Sequence, residues 1–419
     1  MPQRKPFSGF DFIKINILFF ALAALSQGVH TIILPVRILD FVSEGQKNTF
    51  LGIMTFTGLL IAAFYQPVIS AISDRTSRFL GRRLPFIIAG VTALIISLAG
   101  IGIAGAYSLL FVFYLLMQFG GNTAQGPYQA FLPDMVPPQQ RGRASGAKNL
   151  LEVSGGVVMV GIASVFIGRY EFGGPSFWLW LALGTVAVFL LVALMLTLFW
   201  IKEPVERDSS GSPGIFNSIV HAFHLDLKNQ KPLLFFLVSR TLVFMGLTTI
   251  QQFSLYYFSD VLGVKDPARV TFEFLGIAVV VMLLGAYPAG KLCDLFNRRI
   301  LSALGSLIGA AGILIIIIFP GHFDILLISA GVLGVAMIVF STSNWALATE
   351  LLRKGEEARY MALANMATAG GAAIARLIGP VIDSFNARSS GLGYEVMLVA
   401  VTAYFVIGSL ILFRMSSVS

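Results

Sequence analysis

Four amides, Gln118, Asn122, Gln125 and Gln129, stand at i, i+4, i+7 and i+11 in an otherwise apolar stretch. On a helix this spacing makes one stripe. Amides donate and accept hydrogen bonds, which suits a ligand rich in hydroxyls. The same groups can also join neighbouring helices. Gln27, His30 and Thr31 lie together in another apolar run, and His30 is the only histidine in such a run. Histidine ordinarily titrates near neutral pH, so His30 reads either as a proton carrier or as a hydrogen-bonded structural residue. Glu152 has Lys148 one turn before it and reads as an ion pair or as a second proton site. Arg240 and Arg376 put guanidiniums into apolar runs of the second half. Arg376 follows Asn365, Thr368 and Ala372 on one helical face, and its planar fork suits a hydroxyl cluster, a carboxylate or a phosphate. Gln251, Gln252 and the Asn344–Trp345 pair are further polar candidates. No nucleophile–base set and no His/Cys cluster for a metal stand out. No phosphate-binding Walker loop precedes a helix, and "GGNTAQG" lies inside an apolar run. Neither an enzyme nor a cofactor is expected.

These residues sit in a chain that is 56% hydrophobic and 12% charged over 419 residues. A soluble domain carries about 25% charged residues. The expected class is therefore an all-α membrane protein. Spans of about 20 apolar residues are predicted at 13–38, 49–73, 84–106, 108–132, 145–168 and 176–201. Six more follow at 233–258, 270–293, 299–319, 323–348, 360–384 and 392–413. The expected organisation is a six-helix bundle over 1–201, a linker over 202–232 and a second bundle over 233–419. The linker contains "KEPVERDSSGSPG" and then Ile215, Ile219, Phe223 and Leu227 at helical spacing, which predicts a short surface helix. The short basic N-terminus lacks a cleavage-site pattern, so the first span is expected to be retained. The single cysteine, Cys293, cannot form an intrachain disulfide.

With both termini placed inside, twenty of the 29 Lys and Arg fall on inner segments, six on outer segments and three in spans. That asymmetry predicts cytoplasmic termini. It also accounts for the net charge of +8 without nucleic acid. A bacterial cytoplasmic membrane and a monomer are expected.

The two halves repeat. "PVISAISD" (67–74) resembles "PAGKLCD" (288–294), and Arg82 and Arg83 correspond to Arg298 and Arg299. The fourth helix of each half ends in an acid, Asp134 or Glu350, followed nine residues later by Arg143 or Arg359. The fifth helices carry Gly155-Gly156 and Gly370-Gly371. Asp74 at a helix end is disfavoured by the dipole, so a cation from Arg82, Arg83 or the segment 141–143 should offset it. Asp74, Arg75, Arg82, Arg83, Asp134, Arg143, Asp294, Arg298, Glu350 and Arg359 thus form the expected gating set. Two such halves predict a ligand site at their interface and alternating access.

Two such halves, with the loop "QPVISAISDRTSRFLGRRLPFIIAG" after the second helix of the first, resemble the major facilitator superfamily. Within it the loop is similar to the glycoside-pentoside-hexuronide:cation symporters and the sucrose transporters. "NTAQGPYQAFLPDM" (122–135) resembles the fourth helix of that family. The two motifs cover about forty residues, all in the first half. The resemblance implies twelve transmembrane helices in two pseudo-symmetric bundles and a sugar-type carrier. It does not imply the family's cation coupling. Gln66 and Ala62 stand where sodium-using relatives have acids, and Phe119 or Gln118 stands where proton-coupled relatives have an Asp.

The expected function is a secondary active or facilitative transporter of a small polar solute, a sugar or glycoside, with a proton or other cation as an open partner. Gln27, His30, Gln118, Asn122, Gln125, Asn344, Trp345 and Arg376 are the expected substrate contacts. Glu152 and His30 are the coupling candidates. An exporter of amphipathic compounds is one alternative. A non-transporting assembly factor for pigment complexes is another.

Overall fold

The computed structural model describes residues 7–75, 81–171, 175–201, 231–351 and 357–415. Their regular structure is helical, with no strand among the described residues. In lipid a helix satisfies every backbone group within its own segment, so long apolar runs have no other open-ended solution. Contacts divide the chain into a first unit of residues 1–42 and 57–218 and a second of residues 43–56 and 219–419.

The first unit begins with α1 (Gly9–Lys14), α2 (Ile17–Gly28) and α3 (Leu34–Leu39). It continues with α4 (Lys47–Arg75) from Thr57 onward, α5 (Leu84–Ile103), α6 (Tyr107–Gln129), α7 (Phe131–Met135), α8 (Arg141–Glu171) and α9 (Phe177–Trp200). The span expected at 13–38 starts later than predicted. A capping box opens α1: Ser8 Oγ accepts from the Asp11 N–H at 3.4 Å, and Asp11 Oδ2 accepts from the Ser8 N–H at 2.9 Å. The Ser8 amide, then its hydroxyl and Lys14, hold the Asp11 carboxyl down at about 2. Its contribution is full above the ordinary carboxylate range and is lost as pH falls toward 2. Buried Asn16 then separates α1 from α2, donating through Nδ2 to the carbonyls of Phe12 (2.9 Å) and Ala144 (3.0 Å).

Between α2 and α3 the chain widens into a π-helical turn, Val29–Ile33. Beyond it, Arg37 lies buried at the end of α5. Its guanidinium donates to the carbonyls of Ile101 (3.2 Å), Gly102 (3.3 Å) and Ala104 (2.6 Å), and it pairs with Asp40. These are carbonyls that a helix end leaves without partners.

The second unit contains the first turns of α4, then α10 (Lys231–Asp260), α11 (Pro267–Leu295), α12 (Arg298–Ile318) and α13 (Phe323–Glu350). It ends with α14 (Glu357–Arg376), α15 (Gly379–Asn386) and α16 (Leu392–Arg414). The run expected as one helix over 360–384 is broken at Leu377–Ile378. Pro380 lacks the N–H that a continuing helix needs and instead sits in the first turn of α15. The start of α4 packs into this break. A Cβ on Gly52 would come within 2.3 Å of the Arg376 carbonyl oxygen, and one on Gly379 within 2.2 Å of the Asn48 oxygen. Glycine is required there by space alone.

Both units use the same pairings. The first long helix packs on the fifth (α2 on α8, α10 on α14), and the third on the fourth (α5 on α6, α12 on α13). Lipid supplies no hydrophobic drive between helices, so close approach of small residues carries the packing. Gly155 stands where a Cβ would meet the Phe20 carbonyl oxygen at 2.1 Å, and Gly371 where one would meet the Thr241 oxygen at 2.4 Å. Gly155, Gly156 and Gly371 of the two fifth helices thus meet the first helix of their own unit.

Eleven helical stretches among the described residues are long and apolar enough to cross a membrane. The twelfth expected span, α6, is 23 residues long, but its amides make it too polar for that set. The expected linker helix lies outside the described residues.

Candidate functional site

In the first unit the polar cluster joins the π-helical turn to α6. The Nδ1 of His30 lies 2.7 Å from the Ser26 carbonyl oxygen, which can only accept, so Nδ1 carries a proton. In the neutral ring Nε2 is then the acceptor. It lies 3.1 Å from the Tyr114 hydroxyl and 3.1 Å from Gln118 Nε2. Gln118 Nε2 also donates to the Tyr114 hydroxyl at 2.7 Å, which leaves the phenol proton for His30. Gly58 of α4 makes room for this arrangement, since a Cβ there would fall 2.3 Å from the Tyr114 oxygen. A second proton on His30 would turn Nε2 into a donor. The phenol would have to rotate and the Gln118 amide to reorient.

The amide stripe of α6 is graded in depth. Asn122 is buried and donates to the Gln118 carbonyl one turn earlier at 2.7 Å. Gln118 and Gln125 are half-buried, and Gln129 is exposed. Gln27 packs against Gly156 of α8, with its Cγ 2.9 Å from where a Cβ would stand. Lys148 and Glu152 pair at 3.4 Å along α8, and the Lys148 ammonium lies over the Phe19 ring at 4.6 Å.

The second unit has a different cluster, built on the same two helices of the repeat plus the fifth. Arg240 of α10 is 2% exposed. Its Nε–H is shared between the Ala364 carbonyl (3.0 Å) and Thr368 Oγ1 (2.8 Å), both on α14. Its Nη1 donates to Asn344 Oδ1 on α13. The guanidinium lies over the rings of Trp345 at 4.6 Å and Phe244 at 5.2 Å. Asn344 is fully buried and Trp345 is 38% exposed. Arg376 ends α14, and its Nη1 donates to the Ala372 carbonyl one turn back.

The expected gating residues fall into place unevenly. Arg82 and Arg83 both reach Asp134, at 2.7 and 2.6 Å, and Arg83 also lies over the Phe131 ring. In the second unit Arg298 reaches Glu350 at 2.8 Å. The same link, from the loop after the second long helix to the end of the fourth, thus occurs in both units. Arg143 and Asp294 are exposed and form no ion pair among the described residues. The side chains of Asp74, Arg75 and Arg359 lie outside the described residues.

One network was not anticipated. In the second unit, Lys47 pairs with Asp260 at 2.6 Å, and Asp260 accepts from the Tyr394 hydroxyl at 2.7 Å. Asn48 Nδ2 donates to Asp383 (2.8 Å) and to the Tyr394 hydroxyl (3.2 Å), and the Thr49 amide donates to Asp383 at 2.7 Å. Lys47, Asn48, Asp383 and Tyr394 are all buried. The available signal was Asp383, a carboxylate inside a predicted span, which is rarely without a partner. No group of three or more His, Cys, Asp or Glu among the described residues could hold a metal ion.

Comparison with known proteins bears on the fold and the family. The sucrose transport protein SUT2 of Oryza sativa subsp. indica is 28% identical over 118 residues, which are 23% of this chain and 24% of that protein. The chain therefore aligns with about a quarter of the length of this curated relative. A bacterial homologue of the human lysosomal transporter Spinster superposes with a TM-score of 0.77 at 16% identity, covering 98% of this chain and 97% of that one. A D-xylose–proton symporter superposes with a TM-score of 0.72 at 17% identity, covering 98% of each chain. At such identities the likeness is one of fold. The family model described as Major Facilitator Superfamily matches residues 16–375 and 271–418. With two helical units of like pairing and a membrane-spanning composition, this chain belongs to the Major Facilitator Superfamily.

Proposed function

We propose that this protein is a secondary transporter of a small polar solute of the saccharide or glycoside kind, working by alternating access. The observation that carries the reading is the His30–Tyr114–Gln118 cluster with Asn122, a hydroxyl-compatible set of donors and acceptors within apolar helices. Buried polar groups in spans mark solute and ion pathways. The partial likeness to a sucrose transport protein and the fold of a D-xylose–proton symporter support the same solute class. Gln27, Gln125, Asn344 and Trp345 are the further proposed contacts. The Arg82/Arg83–Asp134 and Arg298–Glu350 links are the proposed gating elements, with Asp74, Arg75, Arg143, Asp294 and Arg359 beside them in sequence. His30 is the favoured coupling residue, because a second proton would reorganise the amide that meets the solute. Glu152 is the weaker candidate, since Lys148 already partners it.

The test is uptake of a labelled sugar panel by vesicles holding the purified protein, with and without a pH gradient. Uptake that is lost in Asn122→Ala supports the reading. Failure to take up any saccharide, with release of amphipathic dyes, would favour an exporter. Failure to move any solute would favour the assembly-factor alternative.

A further inference from the structure

Arg240 is a buried cation of the second unit bonded only to neutral groups: a carbonyl, a hydroxyl and an amide oxygen. No carboxylate pairs with it among the described residues. Five acids of this unit are engaged elsewhere: Asp260 and Asp383 in the Lys47–Tyr394 network, Glu350 on Arg298, Glu273 on Arg269 and Asp266 as the cap of α11. A guanidinium that is 2% exposed and lacks a counter-charge is costly in an apolar setting.

The neighbour deepens the imbalance. Asn344 Oδ1 accepts from Arg240, which fixes the amide so that Nδ2 is the free end. That Nδ2 is buried and has no hydrogen-bond partner. An unmet buried donor on Asn344 thus stands beside a buried cation with no counter-charge, and what the pair lacks is an acceptor bearing negative charge. A neutral polyol would offer acceptors and leave the charge unmet. A carboxylate or phosphate meets both needs, and its two oxygens match a planar fork. The Trp345 face stacked on Arg240 holds that fork in plane.

We infer that Arg240 and Asn344 bind an anionic group, a carboxylate or phosphate, carried by the transported solute. The assignment to a transported solute rests on the transporter reading above; the anion site itself does not.

Thermal unfolding of the purified full-length protein, with D-glucuronate, inorganic phosphate or D-glucose added, tests the inference. D-Glucuronate or phosphate should raise Tm saturably in the wild type while D-glucose does less. In Arg240→Gln the apparent affinity for that anion should fall by ~10-fold or more, the scale of a lost charge-assisted bond. Asn344→Asp supplies the missing carboxylate from within. It should raise Tm without ligand and abolish the response to anions. An anion response that is equal in wild type and Arg240→Gln would overturn the inference. So would the absence of any anion response together with an Asn344→Asp protein no more stable than wild type. Uptake of D-glucose with no anion response and no gain in Asn344→Asp would sink the anion site and leave the carrier reading intact. Arg240-dependent anion binding without uptake of any solute would do the reverse.

Discussion

The two units put their buried polar groups on the same helices and fill them with opposite chemistry. In the first unit the first and fourth long helices meet through His30, Tyr114 and Gln118, all neutral and mutually hydrogen-bonded. In the second they meet through Arg240, Asn344 and Trp345, where a permanent cation lacks a counter-charge. The repeated fold supplies the location, and the side chains decide what happens there. One cluster holds an imidazole, which can take a second proton, and the other a guanidinium, which keeps its charge. The division of labour we propose is proton response in the first unit and recognition of a charged group in the second.

Variants can break that division in order of expected effect. Arg240→Gln should lower the uptake of the anionic solute most, by ~10- to 100-fold in apparent affinity, and leave any dependence on the pH gradient intact. A variant that loses the gradient response instead would erase the contrast. His30→Gln should show the mirror image. Accumulation driven by a pH gradient collapses while solute exchange at equal pH continues, as counterflow in vesicles would record. Asp134→Asn should slow turnover several-fold with KM nearly unchanged, because Arg83, with only 4% of its side chain exposed, loses its carboxylate. Glu350→Gln removes the matching link in the second unit, where Arg298 is 33% exposed, and should cost less. Initial-rate measurements of uptake separate the two. Glu152→Gln should have the smallest effect, below ~3-fold, since it removes one i,i+4 pair worth ~0.3–0.5 kcal/mol. Loss of gradient dependence in that variant would move the coupling role from His30 to Glu152.

Much of this organisation was readable from residue patterns. The inner loop "SDRTSRFLGRRLPF", its shorter echo near Arg298 and the paired glycines of the fifth helices announced the repeat. The α6 amides and His30 announced a polar interior. Tyr114 was missed although it precedes Gln118 by one turn, because an aromatic in a span reads as apolar filling until its hydroxyl finds a partner. Arg240 was visible as a charge, but its lack of a counter-ion depends on where every acid of the unit ends up. The Lys47–Asp260–Tyr394 and Asn48–Asp383 network was illegible for a related reason. It joins residues hundreds of positions apart, and helical periodicity describes one helix at a time. The break at Leu377–Ile378 had its cue in Gly379-Pro380, which an otherwise apolar run masked.

The π-helical turn at Val29–Ile33 lets one continuous span answer to two neighbours that demand different phases. His30 must face Tyr114 and Gln118, while Arg37, two turns on, must face the last carbonyls of α5. A regular α-helix advances about 100° per residue, and the wider turn absorbs one residue that the regular count would not. It works as a phase shifter in the span. Deleting a single residue within the turn would restore uniform winding and leave Arg37 in phase with the helix before it, still facing Ile101 and Ala104, whereas inserting a further residue would swing Arg37 by about 100°. The turn therefore lets the spacing between the site around His30 and the anchor at Arg37 differ by one residue while both keep their neighbours.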